Sequence, residues 1–215
     1  MIFKEANLSR YTDAVCRKCR AHGVKLHLKG ERCYTAKCAL EKRRSRPGQH
    51  GQARQKVSEY GIRLKEKQKL RTIYGVSESQ FRRYYDIASN AKGVTGENLL
   101  QLLETRLDNV VYRLGFASSR SQARMWITHG HIAIGGRKVS IPSYRVKSSQ
   151  QIAIRENSQK FIKEALAEST KIVIPNWLSV DADKLEGQVL TIPVRDEIDT
   201  SSYVQDNLVV EFYSK

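Results

Sequence analysis

The sequence predicts an α+β protein: an N-terminal cysteine knuckle leading into a mostly helical domain, an inserted unit of two helices on a small sheet, and late strands that fold back. Three observations carry this. Apolar residues recur at three- and four-residue steps from about residue 58 to residue 127. Alternation around a glycine pair follows at 131–139, with further strand-like runs toward the end. All four cysteines fall between residues 16 and 38. A chain of 215 residues is long enough for one large or two modest domains. The divisions read as 1–56 for the knuckle and a basic arm, 57–105 for a helical body, 106–171 for the inserted domain and 172–215 for the late strands.

Residues 1–15 are short, polar and mixed, and read as an arm. Cys16-Arg-Lys-Cys19 is followed by Cys33 and Cys38. Two pairs at this range suit tetrahedral thiolate ligation, each pair forming one turn of a knuckle. Four thiolates saturate a metal and leave no open position for water, so the expected role is structural. Zinc is the default metal, and an iron–sulfur cluster is the alternative the same spacing allows. Two disulfides do not suit a reducing compartment, and a redox Cys-x-x-Cys would need a strand before it and a helix after. His22 and His27, between the pairs, read as surface or nucleic-acid-facing residues.

Glu41 to Lys56, EKRRSRPGQHGQARQK, holds six Lys/Arg, His50 and one acid. It is too polar for a core. Alone it would be a flexible linker, but in a polyanion binder such a tract lies against phosphates and orders on binding. From Ser58 to Tyr74 the spacing of Tyr60, Leu64, Lys67, Leu70 and Tyr74 is helical. Ser77 with Gln80 is a capping box, and Phe81, Tyr84, Tyr85 and Ala88 form the inward stripe of the next helix. Glu97 to Glu104 continues the scaffold, while Arg63, Lys69, Arg71, Arg82 and Arg83 give it a basic outside.

The stretch Arg106 to Tyr144 organises the rest. Leu107, Val110, Val111 and Leu114 make one helical stripe, which Gly115 ends. Ser119 with Gln122 is a second capping box, opening a helix that buries Ala123, Trp126 and Ile127 and leaves Arg120 and Arg124 one turn apart outside. His129 falls at the helix C-terminus, and His131 opens an alternating strand. Gly135-Gly136 is a two-residue hairpin signal leading into Arg137-Lys138-Val139. The stretch holds six Arg/Lys and one acid, Asp108. A solvated face mixes signs; a single-sign stripe on a rigid frame is an electrostatic footprint for phosphates.

Gln151 to Arg155 reads as a strand and Ser158 to Ser169 as a short amphipathic helix. Ile172–Ile174, Val189–Ile192 and Leu208–Tyr213 read as strands, with acids in the turns between them. Those acids suit a solvated edge. The net charge of +16 is uneven: residues 1–150 carry 31 Lys/Arg against 11 Asp/Glu, and residues 151–215 carry 7 against 11. This is a basic, polyanion-binding body whose last segment faces something else. No apolar run reaches membrane-span length, and Lys4 and Glu5 interrupt the start, so the expectation is a soluble intracellular protein with no membrane partner. Aromatic content of 8% argues against broad base-stacking platforms. There is no Walker loop, dinucleotide fingerprint, nucleophile elbow or His-Glu-x-x-His, so no catalytic residues and no enzyme activity are expected.

RLDNVVYRLGF, SRSQAR, HGHI and GGRKVSIPSYRV resemble the RNA-binding motif of the S-four family of small-ribosomal-subunit proteins, in its cysteine-bearing bacterial or organellar form. GVKLHLKGERCYTAKCALEKRR around the second cysteine pair and the PGQHGQ run are similar to that family too, so the resemblance covers the chain from about Arg10 to the closing EFYSK. It implies that the inserted domain is an RNA-binding domain and that the protein is a structural, non-catalytic ribosomal component binding the 5′ domain of small-subunit rRNA at a multi-helix junction. It further implies a part in starting subunit assembly and an influence on decoding accuracy. Expected neighbours are other small-subunit proteins, an S-five-type protein among them, with the chain's own mRNA as a further ligand in some members. A homo-oligomer is not expected, and the location is a ribosome of the cytoplasm or of a plastid. Arg106, Arg113, Arg120, Arg124, Arg137 and Lys138 are the foremost expected rRNA contacts, followed by Arg43, Arg44, Arg46 and His50; Arg54, Arg63, Lys69, Arg71, Arg82, Arg83, Ser119, His129 and His131 complete the expected set. The competing readings are a non-ribosomal RNA-binding accessory or modification factor and a zinc-finger nucleic-acid-binding regulator. The first lacks room for a catalytic domain in 156–215, and the second lacks a recognition helix behind the metal.

Overall fold

The computed structural model describes residues 11, 13–53, 56–167 and 173–214. Its helices, in chain order, are α1 (Cys16–His22), α2 (Ala39–Lys42), α3 (Glu59–Tyr74), α4 (Glu78–Asn90), α5 (Thr95–Glu104), α6 (Leu107–Arg113), α7 (Arg120–Thr128), α8 (Glu156–Ala167) and α9 (Asp206–Ser214). The strands are β1 (Ile132–Ile134), β2 (Arg137–Lys138), β3 (Gln151–Ile154), β4 (Leu178–Asp181) and β5 (Glu186–Val189). The chain divides into two units, one made of residues 1–96 with 204–215 and the other of 97–203. Among the described residues no helix is long and apolar enough to cross a membrane.

The first unit is helical. Ser58 caps α3, its Oγ accepting from the Gly61 N–H at 3.2 Å, and Ser77 caps α4 through the Gln80 N–H at 3.4 Å. Leu70 and Tyr74 of α3 and Phe81, Tyr84 and Ala88 of α4 are buried, as the spacing predicts, together with Ile73 of α3 and Val209 of α9. Lys67 of the α3 stripe is buried, but Tyr60, also expected on it, is exposed.

The helix α9 is a departure from the sequence reading. Leu208–Tyr213 is expected as a strand because its residues have high β-propensity. Yet Val209, Phe212 and Tyr213 also stand at i, i+3 and i+4, and α3 offers a helical groove, so tertiary packing selects the helix. Glu211 accepts from Arg63 Nε at 2.7 Å, Tyr213 stacks on Tyr85 at 4.5 Å, and the Tyr213 hydroxyl donates to Glu78 at 3.0 Å.

The second unit is built around one core. Leu107, Val110, Val111 and Leu114 of α6 meet Ala123, Trp126 and Ile127 of α7, Ile132 of β1, Ile152 and Ile154 of β3, and Trp177 and Val189 near β4 and β5. The five strands form one antiparallel sheet in the order β2-β1-β3-β5-β4. Gly135 and Gly136, with φ of 54° and 78°, make the turn of the β1–β2 hairpin, a conformation that costs other residues a Cβ clash. The late strands are therefore additions to the sheet of the inserted domain. The run expected at Val189–Ile192 leaves the ladder after the bond from Leu190 N–H to Trp177 O at 2.9 Å. Val173 and Ile174 lie outside any strand, and Ile172 lies outside the described residues.

Candidate nucleic-acid interface

The second unit carries most of the expected contacts and divides them into two groups. Arg106 is fully buried, with Nε donating to Asp108 Oδ1 at 3.1 Å and Nη2 to Oδ2 at 2.9 Å. Arg113 is buried too. Its Nη2 donates to Glu104 at 3.2 Å, and it also pairs with Asp199. Neither guanidinium is presented to a ligand, so both leave the expected contact set. Sequence alone does not reveal this: Asp108 reads as the lone acid of a basic stretch, Glu104 lies just before that stretch, and Asp199 is distant in the chain. Ser119 is likewise committed to structure: it is buried, and its Oγ accepts the Gln122 N–H at 3.3 Å. The reciprocal bond falls one residue early, with Gln122 Oε1 accepting from the Ser118 N–H at 2.8 Å and its hydroxyl at 2.7 Å.

Arg120 and Arg124 are on the accessible side of α7, braced from within. Arg120 Nε donates to Asn109 Oδ1 at 2.8 Å, and its guanidinium lies 4.6 Å from the centre of the Tyr112 ring. Asn109 is fixed in turn, its Nδ2 donating to Glu104 Oε2 at 2.6 Å. Arg124 Nη1 reaches Asp108 Oδ2 at 3.4 Å. Glu104, Asp108 and Asn109 thus form a buried polar frame that holds two arginines in fixed directions, and the sequence reading assigns a positioning role to none of the three. The available signal is the polar Asp108-Asn109 pair next to the apolar stripe of α6, since buried polar groups have to be partnered. Arg137 and Lys138, on the short edge strand β2, are exposed. His129 is the exposed residue that caps the C-terminus of α7. His131 falls just before β1, its Nδ1 2.9 Å from Ser158 Oγ. Burial, with the charges of His129 and Arg155, lowers its pKa.

In the first unit Arg43, Arg44 and His50 are exposed and Arg46 is half-buried. The tract is fastened from below by Arg20, which donates to the carbonyls of Ser45 at 3.0 Å and Arg46 at 3.2 Å. Arg54 lies outside the described residues. Arg82 and Arg83 are exposed on α4. Arg63, Lys69 and Arg71, expected as contacts, are engaged inside the unit: Arg63 with Glu211 and with Glu59, Lys69 with Glu66 at 2.6 Å, and Arg71 with Glu78 at 2.8 Å. Lys69 is also buried. Its spacing places it off the apolar stripe, but α1 covers that face of α3.

Cys16 and Cys19 are one turn apart on α1, and Cys19, Cys33 and Cys38 are buried free thiols. Burial pushes the Cys19 and Cys33 thiols up, and the other cysteines act on both through their charge, so the sulfurs stand within electrostatic reach of one another. The Lys29 N–H donates to Cys33 Sγ at 3.4 Å, the kind of backbone bond that supports a thiolate. Among the described residues no three Cys, His, Asp or Glu side chains are drawn together as a ready ligand group. His22 is half-buried, and burial with nearby Lys69 and Lys18 holds it down to about 4, so it is neutral at pH 7 rather than a phosphate contact.

Two family models match in chain order. Residues 10–104 match the ribosomal protein S4/S9 N-terminal domain, and residues 105–152 match the S4 domain. The chain thus carries an S4 domain behind a ribosomal S4/S9 N-terminal domain. The chain is 57% identical to the small ribosomal subunit protein uS4A of Alkaliphilus oremlandii, over 97% of this chain and 100% of that protein. It is 58% identical to uS4A of Symbiobacterium thermophilum and 57% identical to uS4 of Gloeobacter violaceus, with the same coverage in both. The chain belongs to the uS4 family of small ribosomal subunit proteins.

Proposed function

We propose that this protein is a structural component of the small ribosomal subunit that binds the 5′ domain of small-subunit rRNA, helps start subunit assembly and influences decoding accuracy. The observation that carries the reading is the basic surface of the second unit, where Arg120 and Arg124 of α7 are held by Asn109, Tyr112 and Asp108, and Arg137 and Lys138 of β2 are exposed. Preorganised cations lose little freedom when they meet phosphates, and a rigid frame reads RNA by the spacing of its backbone, since A-form grooves hide base edges. Arg43, Arg44, His50, Arg82 and Arg83 supply further exposed donors in the first unit. The acidic last third suits contact with a basic neighbouring protein, an S-five-type protein by family resemblance, and the chain's own mRNA is a second candidate ligand. The role is non-catalytic, monomeric and ribosome-bound in the cytoplasm.

Cys16, Cys19, Cys33 and Cys38 are proposed to hold a structural zinc ion, with an iron–sulfur cluster as the alternative. Four thiols of which three are buried, with a backbone donor on Cys33, fit either group in donor chemistry. The metal would supply cross-linking of α1 to the second cysteine pair.

The test is binding to a 5′-domain rRNA transcript across a salt series, with unrelated structured RNA and duplex DNA as competitors. Six or more phosphate contacts cost on the order of a thousandfold in affinity between low and moderate salt. Preference for the rRNA domain at every salt is the expected result. Equal binding to all three polyanions would overturn it.

A further inference from the structure

We propose that the corner where α7 gives way to β1 is a discrete binding site for a single phosphate group, formed around Gly130 by His129, His131, Lys138 and Arg155. The proposal rests on the RNA-binding reading above and names an RNA backbone phosphate as the occupant. Arg155 belongs to none of the basic motifs of the sequence.

The corner is built from three separate parts of the second unit. Gly130, with φ of 78°, closes α7: its N–H donates to Ile127 O at 2.9 Å, and the His131 N–H donates to Trp126 O at 3.0 Å. Arg155, between β3 and α8, is fastened to both sides of this turn. Its Nη1 donates to Gly130 O at 3.2 Å and its backbone N–H to His131 O at 2.9 Å. Lys138 comes from β2 and lies directly over Gly130, where an added Cβ would stand 2.9 Å from Nζ and closer still to Cε. His131 is oriented by the buried Ser158 of α8, and the His129 ring lies 6.1 Å from it at an interplanar angle of 14°.

The corner gathers four basic side chains, whereas several other cations of the unit are each paired with an acid. Arg106, Arg113, Arg124 and Lys184 each have a carboxylate partner. Among the described residues none of His129, His131, Lys138 and Arg155 has one, although Glu156 adjoins Arg155 in sequence. The negative end of the α7 dipole accounts for one cation at the helix terminus. It does not account for Lys138 and Arg155 converging on the same glycine from two other elements. Mutual repulsion of this kind is tolerated where an anion completes the site, and an anchored guanidinium with an ammonium beside two imidazoles matches the donors a phosphodiester takes. The lowered His131 pKa, caused by burial and then by His129 and Arg155, is in keeping with a site short of one negative charge.

The experiment uses the full-length chain and two ligands. The first arm titrates inorganic phosphate, against chloride at matched ionic strength, while imidazole resonances are followed by NMR. Saturable shifts of His129 and His131 are expected in the wild type and in Arg155→Lys, and are expected to vanish in Arg155→Gln/Lys138→Gln. The second arm measures affinity for the 5′-domain rRNA transcript against salt. The double variant should lose on the order of 0.7–0.9 from the log–log slope, the share of one phosphate contact. Phosphate shifts with an unchanged RNA slope would overturn the RNA backbone as occupant in favour of a free phosphate. Shifts no larger than those with chloride would overturn the site itself. Failure of the wild type to prefer the rRNA would instead overturn the RNA-binding reading, and the phosphate arm would still decide the corner. Thermal unfolding of each variant separates lost binding from lost fold.

Discussion

Arg106 and Asp108 form a two-bond ion pair in the interior of the second unit, the arginine side chain 0% exposed and the aspartate 5%. The same carboxylate receives Arg124 at 3.4 Å, so one buried acid both neutralises a core cation and aims a surface one. Removing one partner of such a pair leaves an uncompensated buried charge, which costs about 3–5 kcal/mol. Asp108→Ala is therefore expected to lower the denaturant midpoint of the second unit steeply. Arg106→Met/Asp108→Leu together should recover much of that loss, because apolar residues of similar volume replace the pair. Equilibrium unfolding in urea checks both.

Arg124, Arg137 and Lys138 should behave in the opposite way. Each is accessible, so substitution by Gln should leave the unfolding midpoint nearly unchanged and weaken RNA binding across all sequences. The salt slope should fall by about 0.7–0.9 for each phosphate that the variant no longer neutralises. Arg120→Gln is intermediate: it gives up the Asn109 bond and the Tyr112 ring contact as well, and should cost about 0.5–1.5 kcal/mol of stability besides. If Arg106→Gln altered the salt slope while the midpoint stayed put, the division between framing and contacting arginines would be wrong.

That division marks the limit of what can be read from the chain. The turn at Gly135-Gly136, the Ser77 and Ser119 caps and the apolar stripes of α4, α6 and α7 are legible because each depends on neighbours within four residues. Arg106 and Arg113 look like Arg120 and Arg124 in sequence. What separates them is the position of Glu104 and Asp199, which only the folded chain brings to Arg113, and the burial of Asp108 beside Arg106. Leu208–Tyr213 satisfies both a strand's composition and a helix's period, and its partner helix α3 lies more than a hundred residues earlier. The cysteine spacing and the basic tract are legible as chemistry, yet the bracing of the tract by Arg20 carries no local signal.

The terminal helix α9 closes the first unit and should control its stability. Deleting residues 204–215 would uncover the aromatic contacts of Tyr60, Phe81 and Tyr85 and strand Arg63 and Glu66 without Glu211 and Gln205. The truncated chain is expected to lose cooperative unfolding of this unit and to be cut by protease within α3 and α4. Limited proteolysis with mass mapping reads this directly. Tyr213→Phe, which removes only the hydroxyl bond to Glu78, should cost about 1 kcal/mol.

Glu78 gives the same region a pH dependence. Burial alone would raise its pKa, but hydrogen bonds from Lys67 and Tyr213, with the charges of Lys67 and Arg71, outweigh burial and hold it below its ordinary value. A carboxylate with a lowered folded-state pKa contributes stability that is fully present above the ordinary carboxylate value and is lost as pH falls through the folded one. Stability of the first unit should therefore drop below about pH 4.5, and Glu78→Gln should flatten that limb while lowering the plateau at pH 7. Unfolding midpoints from pH 3 to pH 7, on the order of half a unit apart, would expose a missing limb in the wild type.

The cysteine knuckle yields the last prediction. Cys16 and Cys19 ride on α1, whose basic faces meet α3 and whose Arg20 pins the tract at Ser45 and Arg46, so cross-linking α1 to Cys33 and Cys38 would also order the basic arm. Purified protein is expected to carry about one zinc per chain, and Cys16→Ser or Cys33→Ser to carry far less. A strong chelator or either substitution should expose residues 13–53 to protease while α6, α7 and the sheet stay resistant, because the second unit has its own core. Iron with a visible absorption band in place of zinc would mark the cluster alternative. A metal-free variant whose N-terminal segment resisted protease as well as the wild type does would show that α1 and the loop after it hold together without any metal.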